Sequence, residues 1–285
     1  MCALIAGPCT SEMGWECLEW QGYVRKCAAG LDGKHVVVCS SSSMEPLYAD
    51  MQPIFVGHKI EGERDCHKLR NGKKYARALA EIECILGQKA AEFTRQGITV
   101  QRIRSCTPKL RRHKLCDQVF VKYGRNTGDK YKLVIHARNH KPVTPFTGDN
   151  YPPRLWNLLI EKLQRRVGAV SIAAIGTKKA ALSLPGAADC RDIPLSATMD
   201  LMASAHLVIG PSSGPMHLAS LCGTPHVVWC TDRKQPAISG TNYMRYTREW
   251  NPFDTPVEVV LHRKGVPPSP EQLVEAIVRM WKRSH

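Results

Sequence analysis

Short, unbroken apolar runs recur along this chain, separated by stretches with helical spacing. Val36-Val-Val-Cys39 and His226-Val-Val-Trp-Cys230 carry no alternating acidic or basic position. A strand with one wet face alternates, whereas a strand covered on both faces does not. The strand candidates are 3–6, 35–39, 54–56, 119–121, 132–136, 169–175, 206–209 and 226–230. The helical patterns between and after them are 14–29, 74–96, 153–167, 198–205, 215–221 and 270–283. Such alternation predicts an α/β chain with parallel sheets covered by helices. The polar stretch Tyr123-Gly-Arg-Asn-Thr-Gly-Asp-Lys130 interrupts the rhythm, which then restarts. The expected organisation is an N-terminal domain over 1–128, a C-terminal domain over 129–268 and a closing helix over 269–285. Two Rossmann-like domains would face each other across a cleft at the carboxyl ends of their strands, where α/β proteins bind ligands.

With 285 residues, 43% of them apolar, each domain can bury a core, which excludes collagen-like and disordered readings. No run of eighteen apolar residues exists, so no spanning helix is expected. The opening Met1–Pro8 lacks a basic leader and reads as a first strand rather than a secretory signal. Twelve cysteines are irregularly spaced with no C-x-x-C, and Cys39, Cys222 and Cys230 lie in apolar runs. Reduced thiols and a cytoplasmic setting are expected. His58, Cys66 and His67 lack a second ligand pair, so no metal is expected.

The net charge is +15, and it is unevenly spread. Residues 1–58 carry −3, residues 59–132 carry +11 and residues 133–285 carry +7. The densest part joins Arg102 and Arg104 to Lys109, Arg111, Arg112 and Lys114, with few acidic residues nearby in sequence. Holding such a cluster costs self-repulsion unless an anion offsets it. The other reading of the 68–95 charges is a solvated helix face.

Residues 192–232 read as helix, strand, tight loop, helix, strand. Ser196 is expected to cap the first helix. The strand ends at Gly210-Pro-Ser-Ser-Gly214, Pro215 suits the start of the next helix, and Gly223 its left-handed end. Ser212, Ser213 and Gly214 thus stand at a helix N-terminus following a parallel strand, where free N–H groups and the helix dipole favour a diphosphate.

Leu207-Val-Ile-Gly-Pro-Ser-Ser-Gly-Pro-Met-His-Leu-Ala219, with Gly223-Thr-Pro225, resembles the signature of lipopolysaccharide heptosyltransferase-like glycosyltransferases, the family 9 group. Ile135-His-Ala-Arg138 and residues 151–163 extend the resemblance loosely. It implies a GT-B fold, an inverting transfer from a nucleotide sugar, an acceptor-binding N-terminal half and a donor-binding C-terminal half. The closing helix would pack back toward the N-terminal domain. Ser213, Gly214, Pro215, Met216 and His217 match the family's donor turn, while Ser212 stands where the family usually has Asp.

Transfer requires a base for the acceptor and positive groups for the leaving diphosphate. No Asp-x-Asp pair is present, so the expected mechanism is metal-independent. Arg138 is the first candidate for the phosphates and Lys141 the second. Gly176 and Thr177 are further donor candidates, with Lys178 and Lys179 behind them. The family carries an acidic residue after a Met-Gly pair, but here Met13-Gly14 is followed by Trp15. Glu12 is the expected base, with Glu16 the alternative and Asp149 third. Glu16 also reads as a first-turn residue stabilised by the helix dipole. Trp15 could stack on a planar acceptor.

The donor is expected to be a UDP-sugar, with an ADP-sugar possible. The basic excess favours DNA carrying a hydroxymethylated pyrimidine as acceptor, as for phage base glycosyltransferases. The resemblance alone favours a phosphorylated lipopolysaccharide core sugar. A non-catalytic nucleic-acid-binding protein on the same fold is a third reading. The fourth takes Gly210-Pro-Ser-Ser-Gly214 as a G-x-S-x-G elbow, with Ser212 as nucleophile, Asp232 or Asp254, and His262.

Overall fold

The computed structural model describes residues 1–60, 73–104, 118–128, 131–139, 150–231, 242–263 and 265–283. They form two compact units, Met1–Phe120 and Val121–His285.

The first unit holds β1 (Cys2–Ala6), β2 (Val36–Ser41), β3 (Ile54–His58) and β4 (Thr99–Ile103), parallel and in the order β3-β2-β1-β4. Most of β1 and most of β2 are fully covered, as their unbroken apolar runs require. Behind β1 the chain runs through α1 (Met13–Trp15), a π-helical segment (Glu16–Trp20) and α2 (Gln21–Ala28). A 3-10 helix spans Ser42–Met51. The long α3 (Lys73–Arg95) places Ile82, Leu86 and Phe93 against Ala3, Ile5 and Val37.

The second unit holds β5 (Leu133–Ile135), β6 (Ile172–Ala174), β7 (Ala188–Asp189), β8 (Leu207–Pro211), β9 (His226–Thr231) and β10 (Val257–His262). Their order is β10-β9-β8-β5-β6-β7, and every pair is parallel. The helices are α4 (Pro153–Val167), α5 (Leu195–Ala203), α6 (Gly214–Cys222), α7 (Asn242–Met244) and α8 (Pro270–Arg283), with a π-helical segment over Arg245–Glu249. Tyr151, Trp156 and Trp229 meet with ring centroids 5.2–5.4 Å apart at the centre of this core. Edge and tilted aromatic pairs of this kind add about 0.5–1.5 kcal/mol each beyond their area.

α8 buries Leu273, Ala276, Ile277 and Met280 along one face, in the core that α4 fills with Trp156, Leu159, Ile160 and Leu163. Spacing of three and four residues makes that stripe. The apolar face of this helix is covered within the second unit.

Three local expectations give way. The 119–121 segment joins no sheet: Val119 donates one main-chain bond to Gly22, and no ladder follows. Ser196 does not cap α5, because the helix already begins at Leu195, with Pro194 before it. α6 begins at Gly214, so Pro215 stands second, where its missing N–H is still harmless.

Candidate functional site

In the second sheet β5 is flanked by β6 on one side and β8 on the other. The loops after β5 and β8 therefore leave in opposite directions, opening a crevice at the strands' carboxyl ends, the usual ligand position of an open α/β sheet. β8 delivers Ser212 to that crevice, and α6 starts two residues later. Gly223, at φ +72°, closes α6 in a left-handed turn.

Ser213 is the residue before α6, yet its side chain caps no helix N–H. Its hydroxyl turns back to donate to the Pro211 carbonyl at 2.8 Å. The buried His136, just beyond β5, places Nδ1 2.9 Å from the same Oγ. Two residues on, the buried Arg138 donates from Nη1 to the Ser212 carbonyl oxygen at 2.9 Å. Ser212 Oγ pairs with the Tyr246 hydroxyl at 2.8 Å. Groups from two distant segments thus hold the turn that opens α6, and the cation among them lies beside a helix N-terminus. A backbone-held guanidinium beside a helix N-terminus is an arrangement with the chemistry to attract an anion.

The remaining candidates in this unit are placed as follows. Gly176 lies beyond β6 at φ +114°, and a Cβ there would come within 3.0 Å of the His136 ring. Only glycine lets the imidazole sit so close. Thr177, Lys178 and Lys179 are exposed, with the Thr177 carbonyl closing a turn onto Ala180 and Ala181. Met216 and His217 are buried beneath the turn. His217 stacks on Tyr246 at 5.1 Å and meets Trp250 edge-on at 4.6 Å. Burial, with His226 nearby, pushes its imidazole down to about 3. Lys141 and Asp149 lie outside the described residues.

In the first unit, Gly7 and Cys9 anchor the loop after β1 through main-chain bonds to Ile103 and Cys39. Glu12 ends that loop and is the N-cap of α1, half-buried, its carbonyl receiving the N–H groups of Trp15 and Glu16. Trp15 is half-buried in α1, inside the helical pattern expected from residue 14 onward. Glu16, only 1% exposed, accepts hydroxyl bonds from Ser40 and, at 2.7 Å, from Tyr48. A carboxylate so enclosed joins the helix to β2 and the 3-10 helix.

Arg102 and Arg104 are better balanced than their sequence neighbourhood suggests. Glu83 on α3 accepts from Arg102 at 2.7 Å and lies 3.8 Å from Arg104, because β4 follows α3 and packs beside it. Lys109, Arg111, Arg112 and Lys114 lie outside the described residues. His58 uses both ring nitrogens, donating from Nε2 to the Cys9 carbonyl and accepting the Ile60 N–H at Nδ1. Cys66 and His67 lie outside the described residues, among which no three or more His, Cys, Asp or Glu are placed to hold a metal ion.

The chain resembles solved structures over its whole length. The ADP-heptose lipopolysaccharide heptosyltransferase II of E. coli superposes with a TM-score of 0.62 at 13% identity, covering 99% of each chain. A family 9 glycosyl transferase from Veillonella parvula gives 0.59 at 11% identity, covering 99% of this chain and 98% of the other. The E. coli heptosyltransferase WaaC, solved with ADP, gives 0.52 at 12% identity over all of both chains. The fold is GT-B. No family profile and no curated protein sequence matches the chain.

The GT-B topology removes the hydrolase reading. Ser212 meets Tyr246 rather than a histidine, and β9 separates its strand from β10, where His262 contacts the Arg263 carbonyl. Asp232 lies outside the described residues. His136 and Tyr246 are not among the residues the sequence offers as site candidates. A polar residue directly after a covered strand marks the first; nothing local marks the second.

Proposed function

We propose that this GT-B protein is a glycosyltransferase whose C-terminal unit binds an ADP-sugar and whose acceptor is a phosphorylated core saccharide of the lipopolysaccharide type. The observation that carries the reading is the turn Ser212-Ser213-Gly214 at the mouth of α6, with Arg138 bonded to its main chain. As the sugar leaves, charge develops on the diphosphate, and a fixed guanidinium beside a helix N-terminus stabilises it without reorganising. The acceptor hydroxyl attacks the anomeric carbon, Glu12 takes its proton, and the bond to the diphosphate breaks with inversion. The diphosphate is held by cation and helix rather than by a metal.

ADP and a saccharide acceptor are preferred because two of the similar structures named above are heptosyltransferases, one of them solved with ADP. The expectation of hydroxymethylated DNA rests on charge, and neither it nor the preference for UDP gains support from these similarities. Part of that charge, at Arg102 and Arg104, is already offset by Glu83. The test is incubation with ADP- and UDP-sugars, with and without EDTA, against a lipopolysaccharide core oligosaccharide and hydroxymethylated DNA. Metal-independent transfer from an ADP-sugar to the oligosaccharide supports the reading; transfer to DNA alone overturns its acceptor.

A further inference from the structure

The Ser213 hydroxyl has one proton and two close neighbours. Pro211 offers a carbonyl oxygen, which can only accept, so the proton goes there, at 2.8 Å. His136 Nδ1, 2.9 Å from the same oxygen, must then be the donor. The assignment that satisfies both contacts is a directed relay, from imidazole N–H to hydroxyl to carbonyl. Its start is held firmly. The His136 main-chain N–H donates to Ile209 on β8 at 3.0 Å, and the opposite edge of the ring lies on Gly176. Its end is the carbonyl of the last residue of β8, at the turn into α6.

We propose that His136 is a positioning residue for the donor turn: as the Nδ1–H tautomer it commits the Ser213 hydroxyl to Pro211 and so holds the main chain at the mouth of α6. This rests on the donor reading above. The consequence differs from what the sequence suggests for Ser213. With its proton engaged inward, the hydroxyl serves the turn, and the anion is met by main-chain N–H groups and Arg138. His136 touches no reacting atom, and turnover of bound donor does not depend on its basicity.

The experiment combines an apo measurement with a binding series. Two-bond proton–nitrogen NMR on the ¹⁵N-histidine-labelled protein should show His136 protonated at Nδ1. Calorimetry with ADP should show a Kd about tenfold higher for His136→Phe, the scale of one lost hydrogen bond that orders a site. Asparagine can present an N–H near the Nδ1 position, so His136→Asn should recover most of that loss. Ser213→Ala should raise Kd similarly, and the double variant His136→Phe/Ser213→Ala should be no worse than either single change, because one relay is broken once. In transfer assays the loss should fall on the donor KM with kcat nearly unchanged. If His136→Phe does not fold, Ser213→Ala and the NMR assignment still decide. An Nε2–H tautomer, or variants that bind ADP like the wild type, overturn the relay and leave the donor reading standing. Failure of the wild-type protein to bind ADP or UDP overturns the donor reading and the positioning role with it.

Discussion

Arg138 donates from Nη1 to the main-chain oxygen of Ser212 at 2.9 Å, tying the loop after β5 to the turn after β8. A buried guanidinium bonded to backbone is fixed in place before any ligand arrives. Arg138→Ala should lower kcat/KM about 100-fold or more, the usual scale for removing a preorganised electrostatic donor. Arg138→Lys should lie between, since an ammonium keeps the charge without the planar fork. Steady-state kinetics with an ADP-sugar checks both, and equal activity of Arg138→Ala and wild type would remove Arg138 from the site.

Ser212 and Tyr246 should act as a unit. Their hydroxyls lie 2.8 Å apart, and Tyr246 is itself held between His217 and Trp250. Tyr246→Phe and Ser212→Ala should each weaken ADP binding roughly fivefold, and the double variant should be no weaker than the worse single one. Full additivity by calorimetry would show the two to be independent.

Glu16 should matter for stability. Glu16→Ala strands the buried Ser40 and Tyr48 hydroxyls without this acceptor and should cost about 2–4 kcal/mol of unfolding free energy. Tyr48→Phe, which removes one donor and leaves the carboxylate its other bond, should cost about 1 kcal/mol. Urea denaturation followed by circular dichroism measures both. A fully active, fully stable Glu16→Ala would contradict the assignment.

Acid should loosen the second unit. Burial pushes His217 down to about 3 and His226 down to about 4, against an ordinary value of 6.5. Above 6.5 both are neutral folded or unfolded, so neither contributes a pH slope. Below it the unfolded chain binds protons that the folded chain refuses, and stability falls as pH drops from 6.5 toward 4. Between pH 7 and pH 5 the loss should be roughly 2 kcal/mol per histidine. His217→Phe, which keeps an aromatic ring beside Tyr246, should remove about half of that slope. A flat urea midpoint from pH 7 to pH 5 would refute it.

The parallel, doubly covered architecture was legible because burial on both faces leaves unbroken apolar runs. α4 and α8 match their expected ranges, each having a proline near its start and a strong apolar stripe. β4 and β10 are not legible in the sequence because they are edge strands whose arginine and glutamate positions face partly outward. The turn at Ser212–Gly214 could be read locally, as strand, glycine and proline follow one another. The inward Ser213 hydroxyl could not, since its partners His136 and Pro211 depend on how β5 pairs with β8. Glu16 shows the same limit: its spacing predicts a helix's first turn, and only Ser40 and Tyr48, brought in by β2 and the 3-10 helix, make it a buried acceptor.

The central claim is that the turn opening α6 binds the diphosphate of an ADP-sugar. Calorimetric titration of the wild-type protein with ADP, alongside Arg138→Ala, tests it most directly. The account predicts saturable binding that EDTA leaves unchanged and that Arg138→Ala weakens at least tenfold. Undetectable ADP binding, or binding that Arg138→Ala leaves intact, would contradict it.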